Sequence, residues 1–154
     1  MKITRAQIQL LQLLQEDASL SHEALAERLG RSRQAVGREL KELEDAGVIA
    51  RRTVQLDPAK VGLRDTVYVL VELKQHGAGH VDRFESTVQA NFPNVIEFAR
   101  LLGDWNVLLK LVVRDNAQLA DLHGKLTLTE NVARTCGYAS LGAPRHFPLP
   151  FAES

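Results

Sequence analysis

Polar and cationic side chains recur at helical spacing between residues 32 and 41, and two further arginines follow ten residues later. Hydroxyl, amide and cationic groups on one exposed helix can reach the phosphates and base edges in the major groove of DNA. Arginine can donate two parallel hydrogen bonds to guanine. The candidate DNA-binding residues are therefore Ser32, Arg33, Gln34, Arg38, Lys41, Arg51 and Arg52.

The expected roles differ along this helix. Arg33 and Gln34 fall in its first turn, where we expect contacts to base edges. Ser32, directly before them, is predicted to cap the helix and also to donate to a phosphate. Arg38 is a phosphate candidate, although its spacing to Glu42 also allows an ion pair along the helix.

Two short amphipathic helices must position these side chains. Apolar residues mark the buried face of the first helix over residues 20–29 and of the second over residues 36–43. Gly30 suits the left-handed residue that closes a helix. Two helices joined at such a turn form the helix-turn-helix pattern, and an earlier amphipathic helix after a predicted N-cap at Thr4 completes a three-helix core.

The segment after Gly47 is predicted to be a short strand that carries Arg51 and Arg52. A helix-turn-helix that ends in such a strand is a winged layout. In that layout the wing arginines and Lys41 are expected to contact the phosphate backbone.

The second half of the chain changes period. β-Branched runs alternate with helical spacing in the order strand, helix, strand, strand, helix, strand, which predicts a ferredoxin-like βαββαβ domain. The fold class is thus α+β. The predicted elements span residues 66–73, 80–91, 95–102, 107–113, 116–128 and 133–141, and the predicted segments are a DNA-binding domain at 1–54, a linker at 55–64, a sensing and oligomerisation domain at 65–143 and a tail at 144–154.

A sheet with helices on one side leaves its other face bare. The first strand is apolar at successive positions, so that face should carry Val67, Val69 and Val71 or their neighbours. A large exposed apolar patch usually marks an interface. We therefore expect a homodimer through this sheet, which would also space two recognition helices about one DNA turn apart.

Composition sets outer limits on function. The chain has 154 residues, formal net charge zero and a single cysteine, Cys136, so an intrachain disulfide and a cysteine-based zinc site are excluded. His76 and His80 lie four residues apart, but Gly77 and Gly79 disfavour a helix there, and we expect no metal and no cofactor. Without a signal pattern or a membrane-length apolar run, the expected location is the cytoplasm.

The chain resembles the Lrp/AsnC (feast/famine) transcriptional regulators over nearly its full length. The matching pieces are the helix over residues 8–14, the run from Leu20 to Leu63 with its Leu-Asp-Pro linker, and the hairpin LLGDWNVLLKLVVRD. The resemblance implies an N-terminal domain that binds double-stranded DNA. It also implies a C-terminal domain of the RAM type, which dimerises, assembles into octamers or similar rings, and binds an amino acid or related effector.

The resemblance also implies an effector-binding hairpin turn. The family pattern is Gly, acidic residue, any residue, Asp, aromatic, and here Asn106 stands in place of the Asp and Val107 in place of the aromatic residue. A neutral amide can only hydrogen-bond an ammonium group, so a different ligand, a weaker one or none are all open. The implied effector-binding residues are Leu102, Gly103, Asp104, Trp105, Asn106, Thr135, Gly137 and Tyr138.

Two other functions share this architecture. One is an enzyme that resembles the siroheme decarboxylases, which should need clustered basic and histidine residues in the second domain. The scattered histidines His80, His123 and His146 disfavour it, so we expect no enzymatic activity. The other is an architectural DNA-binding protein without an effector.

Overall fold

The computed structural model describes residues 3–75 and 77–151, so His76 lies outside the described residues. The chain forms two compact units. The first comprises Met1–Gln55 together with the C-terminal segment His146–Ser154, and the second comprises Leu56–Arg145. The inclusion of the C-terminal segment in the first unit is a feature that hydrophobic periodicity does not predict.

Three helices build the first unit: α1 at Arg5–Glu16, α2 at His22–Leu29 and α3 at Arg33–Asp45. Thr4 caps α1, as predicted, in a reciprocal capping box with Gln7. The three helices bury a common apolar core. Its members are Leu10, Leu11, Leu25, Ala26, Val36, Leu40 and Leu43.

Gly30 closes α2 in the left-handed conformation, with φ of 64°, as the helix-turn-helix pattern predicts. The strand predicted after α3 is not formed. Residues 48–57 have no regular secondary structure. The Val48 and Ile49 amides instead donate back to the Leu43 carbonyl, at 2.9 and 3.2 Å. We call residues 48–55 the wing segment.

The second unit has the predicted element order. A 3-10 helix at Pro58–Val61 precedes a four-stranded antiparallel sheet whose strand order is β2-β3-β1-β4. The elements are β1 Asp65–Leu73, α4 Ala78–Asn91, β2 Val95–Arg100, β3 Val107–Val113, α5 Asn116–Thr127 and β4 Val132–Ala139. Helix α4 begins two residues earlier than predicted, and the N-cap of α5 is Asp115, since its carboxylate accepts from the Gln118 amide.

Helices α4 and α5 pack on one face of the sheet. Val67, Val69 and Val71 lie in this covered core with 0–3% exposure, so the neighbours of these valines, rather than the valines themselves, form the other face. The residues of that other face are half-buried or exposed at Tyr68, Leu70, Leu108, Cys136 and Tyr138. An apolar face without helices is thus present, as expected.

Lys110 also lies on this second face, on the central strand β3, between Tyr68 of β1 and Glu97 of β2. Its residue surface is only 7% exposed, and its ammonium lies 5.9 Å from the centre of the Tyr68 ring. Within residues 3–75 and 77–151, no helix is both long enough and apolar enough to cross a membrane.

Candidate DNA-binding helix and effector hairpin

The first turn of α3 presents two of the predicted base-reading residues to solvent. Ser32 caps the helix, since its hydroxyl accepts from the Ala35 amide at 3.2 Å. The Arg33 side chain is 68% exposed and pairs with Glu23 of α2 at 2.7 Å. Gln34 is exposed beside it. The N-terminal end of α3 therefore offers a guanidinium and an amide together.

The remaining cations of the predicted set are also exposed. Lys41 pairs with Asp45 one turn along α3, and Arg52 of the wing segment pairs with Glu44 at 3.1 Å. Within the described ranges, Arg38 forms no ion pair, so the alternative pairing with Glu42 is not formed. Arg51 is exposed in the wing segment and has no ion pair there either.

Arg31, which directly precedes this set in the sequence, faces inward. Its guanidinium donates to the Ala6 carbonyl at 3.1 Å, to Glu39 at 3.0 Å and to Gln9 at 3.0 Å, and its side chain is 19% exposed. Arg31 therefore joins the turn to α1 and α3.

The hairpin turn between β2 and β3 supplies the predicted effector residues. Gly103 adopts φ of 139°, a conformation that favours glycine. Leu102 beside it is fully exposed. The turn is closed by the Leu101 amide, which donates to the Asn106 carbonyl at 2.8 Å.

Asn106 joins this turn to the end of β1. The side-chain oxygen of Asn106 accepts from the Leu73 backbone amide at 2.8 Å. The backbone amide of Asn106 donates to the Val71 carbonyl at 3.0 Å. One lone pair of the oxygen that was predicted to meet an effector is thus already used inside the protein. The role of Asn106 in effector binding stays a prediction.

Trp105 lies against a charged pair that sequence reasoning missed. The Arg134 guanidinium stacks 4.5 Å from the centre of the Trp105 ring, in cation–π geometry, and also binds the Glu72 carboxylate. The Glu72 carboxylate, with a contribution from Asp104, raises the pKa of Arg134 above its ordinary value. Glu72 and Arg134 lie directly opposite each other on β1 and β4. Their opposite charges were the sequence signal that could have predicted the pair.

The predicted effector residues of β4 divide between the two faces of the sheet. Thr135 hydrogen-bonds His123 of α5 at 2.9 Å on the helix-covered face. On the same face a cavity of about 380 Å³ is lined by Gly137, His123 and neighbouring apolar residues. Tyr138 lies on the opposite face, where a hydrogen bond with the Cys136 thiol raises the pKa of its phenol. These residues therefore do not form one pocket within a single chain.

Comparison with known proteins agrees with both units. The family profile "Winged helix-turn-helix DNA-binding" matches residues 3–50, and the profile "Lrp/AsnC ligand binding domain" matches residues 66–146. The chain combines a DNA-binding unit with a ligand-binding type of domain. It belongs to the Lrp/AsnC family of transcriptional regulators, as the resemblance indicated.

Relatives support the same assignment over the full length. The chain is 36% identical over 152 residues to the glutamate uptake regulatory protein of Zymomonas mobilis, covering 97% of this chain and 92% of the relative. The DNA-binding transcriptional activator DecR of Escherichia coli is 35% identical over 117 residues, 76% of each chain. These relatives are regulators and give the enzyme alternative no support.

Solved structures give the same fold. An AsnC family transcriptional regulator from Agrobacterium tumefaciens superposes with a TM-score of 0.86 at 31% identity, covering 96% of each chain. A transcriptional regulator from Neisseria meningitidis, solved as a complex with L-Met, superposes with a TM-score of 0.87 at 26% identity, covering 97% of each chain.

Proposed function

We propose that this regulator reads a specific DNA sequence with the first turn of α3 and that a small molecule of amino-acid type modulates this binding. The observation that carries the proposal is the exposed guanidinium of Arg33, held only by an exposed ion pair with Glu23. An exposed pair of this kind contributes about 0–1 kcal/mol. Guanine can therefore replace Glu23 as the partner of Arg33 at little cost.

The other exposed residues then have supporting roles. Gln34 contacts a base edge beside Arg33, while Ser32, Arg38 and Lys41 contact phosphates. Arg51 and Arg52 of the wing segment add two further phosphate contacts. A homodimer through the second face of the sheet, assembling to an octamer or similar ring, presents two such helices to a palindromic site.

Selection of bound sequences from random DNA would supply the operator, and gel-shift titration at matched salt tests the role of Arg33. We expect Arg33→Ala to weaken operator binding by a factor that corresponds to about 1–3 kcal/mol, because one arginine–guanine contact is lost. Binding to random DNA should weaken far less. The matched control is Arg83→Ala, which removes an exposed arginine from α4. Equal weakening on operator and random DNA would contradict base recognition by Arg33.

The effector part of the proposal is supported by the ordered turn at Gly103 and by the L-Met complex of the Neisseria meningitidis regulator. Asp104 is exposed on the turn and supplies the negative charge that an ammonium group requires. A thermal-shift panel of amino acids and analogues tests it, since a ligand that binds the folded protein raises its melting temperature. A panel without any shift favours the effector-independent architectural protein instead.

The proposed location is the cytoplasm, because a regulator of this kind acts where the bacterial chromosome lies. An effector changes the affinity of the regulator for DNA only if it binds one oligomeric assembly of the regulator more tightly than another.

A further inference from the structure

Residues 148–151 belong to the DNA-binding unit and are joined to it through the side-chain amide of Gln15. The Leu149 amide donates to Gln15 Oε1 at 2.6 Å, and Gln15 Nε2 donates to the Leu149 carbonyl at 3.3 Å. Pro148 and Pro150 have no N–H group, so Leu149 carries the single backbone donor of this tripeptide, and Gln15 satisfies it. The glutamine thus pairs with the tail as a neighbouring strand would.

Phe151 adds an apolar anchor next to this pair. Its half-buried ring packs against the three-helix core, in a groove of about 360 Å³. The groove is formed by α1 on one side and by the wing segment on the other. Its apolar lining includes Leu11, Leu14, Ala18, Val48 and Ile49.

The wing-segment wall of this groove continues through Arg51, Arg52 and Thr53. These residues are exposed and lack regular secondary structure, so nothing in a helix or sheet ladder holds their backbone. Fixing such a backbone costs conformational entropy. Leu149 and Phe151 line the same groove as this wall, so the tail restricts the space open to the wing segment and lowers the entropy that the two arginines lose when they bind a phosphate.

The same tail continues the last strand of the sheet. The strand β4 ends at Ala139, and the Ser140 amide donates to the Thr66 carbonyl at 2.8 Å. The end of β4 therefore lies beside the start of β1. The chain passes from one unit to the other twice, after Gln55 and after Arg145.

We infer that residues 148–151 are a C-terminal clasp, which holds the wing segment in its DNA-binding conformation and gives the sensing unit a second covalent connection to the DNA-binding unit. The clasp itself depends on contacts within the first unit. Its effect on DNA rests on the proposed function.

Limited trypsin digestion of the full chain tests the clasp without DNA or effector, because Arg51 and Arg52 are themselves cleavage sites. We expect Phe151→Ala to speed cleavage there about tenfold, since the open state becomes more populated. Gln15→Ala, a change at an exposed side chain, should act in the same direction. The control Phe147→Ala removes a tail ring that is 80% exposed and should leave the rate unchanged. Equal rates in Phe151→Ala and Phe147→Ala would overturn the clasp.

DNA titration of single and double variants tests whether the clasp affects DNA binding through the wing segment. We expect Phe151→Ala to weaken DNA binding about tenfold, and Arg51→Ala to cost less in that background than in the natural chain, because both act through the wing segment. Strictly additive losses would overturn the link. A protein that binds no DNA would refute the proposed function and leave the trypsin result standing.

Cross-linking tests whether the clasp binds its own subunit. Glu16 and Leu149 line one groove, so Glu16→Cys and Leu149→Cys, in a chain with Cys136→Ser, place two thiols there and leave Gln15 intact. A short bismaleimide should join them within one chain, at monomer mass on a denaturing gel. A product of dimer mass would overturn the intrachain clasp by assigning the tail to a partner subunit.

Discussion

Helix α3 and strand β4 distribute neighbouring residues in different ways. On α3 the buried stripe of Val36, Leu40 and Leu43 leaves a broad continuous surface, on which consecutive polar residues remain together. On β4 each residue faces away from the next, so Thr135 contacts a covering helix while Tyr138 faces away from it. One helix can therefore present all residues of a binding surface on one side. The residues of one strand are divided between the two faces of the sheet, so each face needs its own binding partner.

The two regions also differ in how firmly their polar groups are held. Arg33 is restrained by one exposed ion pair, and surface pairs of this type exchange partners easily. Asn106 is half-buried and bridges two strands through side chain and backbone. The proposed DNA-binding surface is consequently adaptable, while the hairpin proposed to bind an effector is already held by hydrogen bonds within the chain.

The sharpest test of this contrast compares two arginines in one turn. Arg31→Ala should lower the free energy of unfolding by about 1.5–3 kcal/mol, because charged hydrogen bonds to Glu39 and Ala6 are lost from a mostly buried position. Arg33→Ala should change it by less than about 0.5 kcal/mol, as expected for an exposed residue. Urea denaturation measures both. Similar losses for the two variants would remove the distinction between the inward and outward arginine.

Asn106→Ala tests whether the hairpin is held in place by its side chain. We expect a loss of about 1–2 kcal/mol in unfolding free energy, since the backbone amide of the buried Leu73 loses its acceptor.

Asn106→Asp, which keeps an acceptor, should cost less than Asn106→Ala and should strengthen the thermal shift caused by ligands with an ammonium group. A thermal melt that ranks the aspartate variant below the alanine variant would disprove the bridging role.

A pair of β4 variants tests which face of the sheet meets an effector. Thr135→Val removes the hydrogen bond to His123 on the helix-covered face, and Tyr138→Phe removes a hydroxyl from the opposite face. If the ligand binds on the covered side, only Thr135→Val should weaken it, severalfold for one lost bond of about 0.5–1.5 kcal/mol. Titration calorimetry with a ligand found by thermal shift measures this. Equal losses would show that the site uses both faces, which requires a second subunit.

The smallest expected effect concerns the turn after α1. The hydroxyl and amide of Ser19 hydrogen-bond the Asp17 carboxylate and hold its pKa below the ordinary value. Because the folded state favours the charged form, this stability is present above the ordinary carboxyl pKa and is lost as the pH falls through the lowered value. Ser19→Ala should raise the pKa of Asp17 toward the ordinary value in an NMR titration. An unchanged pKa would show that the backbone amide alone sets it.

Hydrophobic period and turn chemistry were enough to predict the three helices of the first unit and the order of the strands and α-helices of the second. Gly30 and Ser32 marked the helix-turn-helix because a left-handed glycine and a serine cap have local physical causes. The strand predicted after Gly47 was wrong, since Val48 and Ile49 turn back to Leu43 and no strand lies beside them.

The remaining features depend on contacts between distant parts of the chain. The inward direction of Arg31 depends on Gln9 and Ala6 of a different helix. The position of the tail is equally hard to predict, because it depends in part on an amide pair between residues 134 positions apart in the sequence. Periodicity carries no information about either contact.

Lys110 has a consequence for the choice of partner. A surface that covers the second face of the sheet must offer an oxygen near this ammonium, since desolvating an unpaired charge costs several kcal/mol. A purely apolar partner surface would therefore bind this face weakly. One lysine on an inner strand of the sheet therefore sets a polar requirement on any surface that covers this otherwise apolar face.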